Sequence, residues 1–223
     1  RNVVECRRRR KHADRTIRLR IDGCTQARHH RGMHALSITG HAGLRLSASI
    51  GGPEQAMPVI LLHGGGQTRH AWRHAARDLI ASGRRVISLD LRGHGDSAWS
   101  EDGDYSFDAF AGDVRAVIAE CPQPPALVGA SLGGLSAMLA AGEAPMPELR
   151  ALVLVDVVPK LERDGVMQIV QFMLAHSDGF ASLDEAADAV AEYLPGRKRA
   201  ASSEGLRKNL RLHPDGRLRW HWD

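Results

Sequence analysis

Between residues 59 and 155, short apolar runs alternate with helix-patterned stretches, and that alternation leaves few folds open to the chain. Residues 59–62, 85–89, 126–128 and 151–155 are too short for helices and read as strands. Residues 59–62 are continuously apolar, as in a strand buried on both faces, and 151–155 reads as a further buried strand. Between the first two, residues 69–82 place Trp72, Ala75, Ala76, Leu79 and Ile80 on one helical face, with Thr68 as N-cap and Gly83 as stop. Ser106 caps a second helix whose apolar stripe is Phe107, Phe110, Val114, Val117 and Ile118. A third helix, rich in small residues, runs through Leu135, Met138 and Leu139 to Gly142. Strands and helices of these lengths imply βαβ crossovers, and so an α/β fold with a mostly parallel sheet and flanking helices. Ahead of them, residues 36–38 and 44–50 alternate about the turn Gly40-His41-Ala42-Gly43, the pattern of a β-hairpin.

After Pro159 the alternation stops. Val166, Ile169, Val170 and Met173 share one helical face. Ser182-Leu183-Asp184-Glu185 opens a second helix with a capping box. A third helix is expected between residues 203 and 212, and then a His213-Pro214-Asp215-Gly216 turn before a strand over 217–222. The reading is a core over residues 33–158 and a helical cap over 159–223.

Residues 1–32 stand apart. They carry ten Arg and one Lys against Glu5, Asp14 and Asp22, a net +8, while the rest of the chain is −4 and the whole is +4. Met33 is the first Met, and domain-like patterning begins just after it. The expectation is a basic leader, disordered or translated upstream of the true start, and not a nucleic-acid arm. Three cysteines in 223 residues exclude a disulfide scaffold. No apolar run approaches the ~20 residues of a spanning helix, and no secretory h-region opens the chain. A cytoplasmic location is expected, without membrane or nucleic-acid partners. The sequence gives no oligomeric state.

Gly129-Ala130-Ser131-Leu132-Gly133 follows a buried strand and precedes a helix. A nucleophile on so sharp a turn needs a strained backbone, and side chains two residues to either side would collide there. Ser131 is therefore the candidate nucleophile. The Leu132 N–H, at a helix N-terminus, is a candidate oxyanion donor. His63-Gly64-Gly65-Gly66 leaves the strand expected beside this elbow, and Gly65 is the candidate second donor. His63 is expected to orient the loop, not to move protons.

Three motifs in order now resemble a family: His63-Gly64-Gly65 with Trp72, then Asp90-Leu91-Arg92-Gly93-His94-Gly95-Asp96-Ser97, then the elbow. Across about residues 34–158 the chain is similar to the α/β-hydrolase fold superfamily, in the branch of haloperoxidase-like and epoxide-hydrolase-like proteins. The resemblance implies a cap inserted after strand 6, Ser131 as nucleophile, and Gly65 and Leu132 as the oxyanion hole. It implies a structural role for Asp90 and Arg92. Relatives acting on epoxides or halides carry Asp at the nucleophile position. Serine suits acyl transfer, so the expectation is hydrolysis of an ester, thioester or lactone, without cofactor or metal.

A serine needs a base and the base an acid, and in this superfamily the order is Ser, Asp or Glu, then His. After the elbow only His176, His213 and His221 remain, none on a loop after a late core strand. Asp156, ending the sixth strand, reads first as a structural strand-end residue, with a candidate catalytic acid as the alternative. The expectation is a fragment without the final core strands, inactive alone. The other readings are a non-catalytic binding protein on this fold and a cofactor-free perhydrolase or haloperoxidase. His70 and His74, four apart on one helix, read as a surface pair and not as metal ligands. Phe172 and Met173 are expected to line a cleft for a small acyl substrate.

Overall fold

A computed structural model describes residues 32–157, 163–193, 199 and 201–223. The basic leader lies outside the described residues except for Gly32. The hairpin forms as expected, with β1 (His34–Thr39) antiparallel to β2 (Arg45–Gly51). Then come β3 (Pro58–Leu62), α1 (Arg73–Ala81), β4 (Arg85–Leu89), α2 (Phe107–Ala119), β5 (Ala126–Ala130), α3 (Leu132–Gly142) and β6 (Ala151–Val155). The six strands lie in the order β1-β2-β4-β3-β5-β6, and from β4 to β6 every pairing is parallel.

Side-chain alternation along β3 explains why all five of its residues are buried. Val59 and Leu61 pack with Ala76 of α1 and Val86 on one face. Ile60 and Leu62 pack with Phe110, Val114 and Val117 of α2 and Ala137 of α3 on the other. Helices thus cover both faces of the central strands. β4 and β5 flank β3 on opposite sides, so the chain reverses its winding direction there. The carboxyl ends of β3 and β5 open at that reversal, where ligand crevices form in open α/β sheets.

Several expectations need correction. Residues 69–82 are not one helix: Arg69–Trp72 is a 3₁₀ turn, and the Thr68 side chain does not cap it. Asp90 captures the Arg69 N–H at 2.6 Å, and the tighter turn follows. Ser106 does cap α2, accepting from Ala109 N–H at 3.2 Å, but Phe107 stays exposed at the helix start. The largest difference is β6. It was expected to be buried, yet Leu152, Val153, Leu154 and Val155 are 38–47% exposed. It is the edge strand, paired with β5 alone among the described residues.

Beyond β6 lie α4 (Arg163–Leu174) and α5 (Leu183–Tyr193). Ser182 Oγ accepts the Glu185 N–H at 3.1 Å, and the Glu185 carboxylate accepts the Ala181 N–H at 2.5 Å. The expected third helix is a 3₁₀ segment, Ser203–Asn209, which passes into β7 (Leu210–Leu212). β7 pairs with β8 (Leu218–Trp220) across the His213–Gly216 turn, so this segment is not purely helical. Its core is aromatic. Phe172 stacks on Tyr193 at 4.3 Å and lies 6.0 Å from Trp220, which meets Phe180 edge-on at 5.1 Å. Phe172 therefore packs within this cluster.

The loop after β4 is tied down by a buried ion pair. Arg92 is 2% exposed and donates through Nε and Nη2 to Asp113 of α2, at 2.7 and 2.9 Å. Asp113 also accepts the His41 N–H at 2.8 Å. Removing one partner strands the other's charge away from water. Asp113→Ala is expected to cost about 3–5 kcal/mol in urea unfolding. A loss under about 1 kcal/mol would show that the pair is not what fixes this loop.

Candidate active site

Ser131 sits between β5 and α3 at φ 46°, ψ −115°, a conformation non-glycine residues avoid. Its N–H donates to Val155 O at 3.1 Å, and its carbonyl accepts the Leu135 N–H at 2.9 Å. The glycines around it are there for space. A Cβ on Gly129 would lie 2.4 Å from Gly133 O, and one on Gly133 would lie 2.5 Å from Leu62 O. Gly133 N–H also donates to His63 O at 3.1 Å, which stitches the elbow to the end of β3. Half-buried Ser131 stands above the carboxyl ends of β3 and β5, the register neighbours expected from the sequence.

The glycine loop passes directly beside the elbow. A Cβ on Gly64 would lie 3.5 Å from Ser131 Cβ, and one on Gly65 would lie 3.8 Å from Leu132 Cδ2. Leu132 opens α3, so its N–H belongs to the first turn, where helical donors have no intrahelical partner. Ser131, Gly65 and Leu132 are thus brought together. Asp156 follows the residue that hydrogen-bonds Ser131, stands exposed, and has φ 50°. His176 packs against Phe180, and His213 begins the β7–β8 turn. His221 lies toward Asp96 and Arg211. Among the described residues, no histidine hydrogen-bonds the Ser131 hydroxyl.

Two histidines hold the glycine loop instead. His63 Nε2 accepts the Leu91 N–H at 3.0 Å, so its Nδ1 carries the proton and donates to Gly64 O at 2.8 Å. His94 Nε2 accepts the Gly66 N–H at 3.2 Å, and its Nδ1 donates to Arg92 O at 2.9 Å. Each ring must be neutral to accept a backbone N–H. Burial holds the His63 pKa down to about 3, helped by the neighbouring His94, and burial lowers that of His94 too. Asp90, fully buried, accepts from the Arg69 N–H and guanidinium and from the Asp96 N–H at 2.9 Å. This bears out a structural role for Asp90 and Arg92.

The contacts of His94 and Trp222 with the glycine loop were not legible in the sequence. The Trp222 ring packs on Gly66, where a Cβ would lie 3.2 Å from it, and the residue bridges to His94 as an isolated β-pair. Asp223 adds a hydrogen bond from the Tyr105 hydroxyl. A lone Trp beyond a hairpin carries no periodic signal. No group of three or more metal-ligating side chains occurs among the described residues.

The neutral histidines give a stability prediction. In the unfolded chain His63 takes up a proton near pH 6.5, whereas in the folded chain it does so only near pH 3. Its contribution is fully present above pH 6.5 and is lost as pH falls toward 3, at up to about 1.4 kcal/mol per pH unit. Urea unfolding from pH 7 to pH 4 should show this slope, reduced in His63→Asn. An equal slope in both proteins would contradict the assignment.

Comparison with known proteins agrees with this geometry. The family model for the alpha/beta hydrolase fold matches residues 57–223. An esterase, Rv0045c, of Mycobacterium tuberculosis is 36% identical over 171 residues, covering 74% of this chain and 56% of the esterase. Protein phosphatase methylesterase 1 of Mus musculus is 32% identical over 133 residues, covering 57% of this chain and 34% of the methylesterase. The chain therefore spans about half the length, or less, of these curated relatives. The crystal structure of an alpha/beta hydrolase from Novosphingobium aromaticivorans superposes with a TM-score of 0.75 at 27% identity, over 86% of this chain and 68% of that one. On the family match, the fold and the elbow together, the chain belongs to the alpha/beta hydrolase fold family.

Proposed function

We propose that the protein is a carboxylic-ester hydrolase working through an acyl-enzyme on Ser131, with an ester, thioester or lactone as substrate. The observation that carries this reading is the Ser131 backbone at φ 46° beside the Gly64–Gly65 loop. Strain of that kind costs about 1–3 kcal/mol and persists where a site needs it. Here it lifts the hydroxyl above the sheet edge. The similarity to an esterase and a methylesterase supports the same class.

In this mechanism Ser131 Oγ attacks the acyl carbon, and its proton passes to a general base. The negative charge that develops on the carbonyl oxygen is met by the Gly65 and Leu132 N–H groups. Their positions are fixed in advance by His63, His94 and the first turn of α3. Collapse expels the alcohol or thiol, and water then hydrolyses the acyl-serine. Asp156 is the candidate acid within this span. The base is assigned to the part of the relatives that this chain does not span, with residues 163–223 as the cap over the site. The 223-residue chain alone is accordingly expected to turn over no ester.

The test is hydrolysis of p-nitrophenyl butyrate by protein that includes the further region, together with fluorophosphonate labelling. Ser131→Ala should lower kcat/KM by about 10³-fold or more and abolish the label. Hydrolysis and labelling that survive the substitution would overturn the assignment.

A further inference from the structure

A second cleft lies away from Ser131, where residues 207–221 meet the core. It encloses about 220 Å³, and its lining includes Arg69, His70, Asp96, Lys208, Arg211 and His221. Ser131, Gly65 and Leu132 are not among its walls. Most of its charge is already paired: Arg69 holds Asp90 and Asp96, Arg211 reaches Asp96 at 3.2 Å, and Arg207 pairs with Glu204 at 2.8 Å. Lys208 has no ion pair among the described residues, and the His70 imidazole makes no hydrogen bond among them. His221 is 8% exposed, and its Nε2 is buried without a partner.

The charge does not end there. An adjoining cleft of about 400 Å³ shares Arg69, His70 and Lys208 and continues along α1 past Arg73 and Arg77, without one acidic side chain in its walls. Neither Arg73 nor Arg77 has an ion pair among the described residues. Basic side chains therefore line one space from the 3₁₀ turn at residues 69–72, from α1 and from the 3₁₀ segment at 203–209. Such a set, spread over several directions, suits a tetrahedral oxyanion better than a planar carboxylate. The space beyond it suits an organic group that carries the anion.

We propose that this cleft binds a phosphate group, borne on a small organic molecule, with Lys208 and His70 as its donors and Arg73 and Arg77 along its path. The anion would join residues 208–221 to the core through charge-assisted hydrogen bonds. The reading stands independently of the esterase assignment.

The test is calorimetric titration of the 223-residue protein at pH 7 and fixed ionic strength in sodium chloride, with inorganic phosphate and with glycerol 3-phosphate. Saturable one-site binding with Kd below about 1 mM is expected for glycerol 3-phosphate. Tighter binding of it than of inorganic phosphate would support the organic source. Lys208→Ala, which removes a half-buried side chain, should weaken binding at least about tenfold with an unchanged melting profile. Arg150→Ala removes one exposed charge elsewhere and should leave binding unchanged. Three results would overturn the proposal: no saturable binding of glycerol 3-phosphate, binding of inorganic phosphate alone, or equal weakening by both substitutions.

Discussion

The N–H of Gly133 reaches the carbonyl of His63 at 3.1 Å, and much of the site depends on that contact. It joins the end of β3 to the first turn of α3 at a distance where no side chain fits, since a Cβ on Gly133 would strike Leu62 O. With β5 in parallel register beside β3, Ser131 has to turn at positive φ to enter the helix. The elbow is thus a consequence of two strands and a helix packed at glycine-only separation. The cost of its backbone strain is met by burial in the central sheet.

The glycine loop opposite the elbow gains its order from elsewhere. Glycine loses the most conformational freedom on folding, so a run of three must be fixed from outside. His63 and His94 do this, each accepting one backbone N–H and donating to one carbonyl, with ring centroids 5.2 Å apart. Both rings lie among buried residues whose own places are set by Asp90 and by the Arg92–Asp113 pair. Trp222 then closes over Gly66, and its stack on Trp220 at 4.8 Å ties residues 218–222 to the loop. A chain of contacts therefore runs from a buried ion pair through two neutral imidazoles to the glycine loop beside Ser131.

Much of this was legible in the sequence because local geometry dictated it. Val59 to Leu62 are apolar without alternation, which fits a strand covered on both faces, and the structure covers it. Gly129 and Gly133 flank Ser131 at the spacing a tight turn needs, and the turn is there. What was not legible depended on distant partners. The Arg69–Trp72 turn tightened because Asp90, 21 residues away, took its first N–H. The 203–209 segment and β7 divided an apparent helix because Leu210 to Leu212 found a strand partner after the turn. His94 stood in a recognised motif, but its partner, the Gly66 N–H 28 residues earlier, has no local signal.

The central claim is that the Gly65 and Leu132 N–H groups form the oxyanion site for chemistry at Ser131. A crystal structure of the protein after reaction with a fluorophosphonate tests it most directly. The account predicts a phosphorus bonded to Ser131 Oγ and a phosphonyl oxygen about 2.7–3.1 Å from both N–H nitrogens. An adduct on another residue, or a phosphonyl oxygen turned to solvent with both donors unengaged, would contradict it.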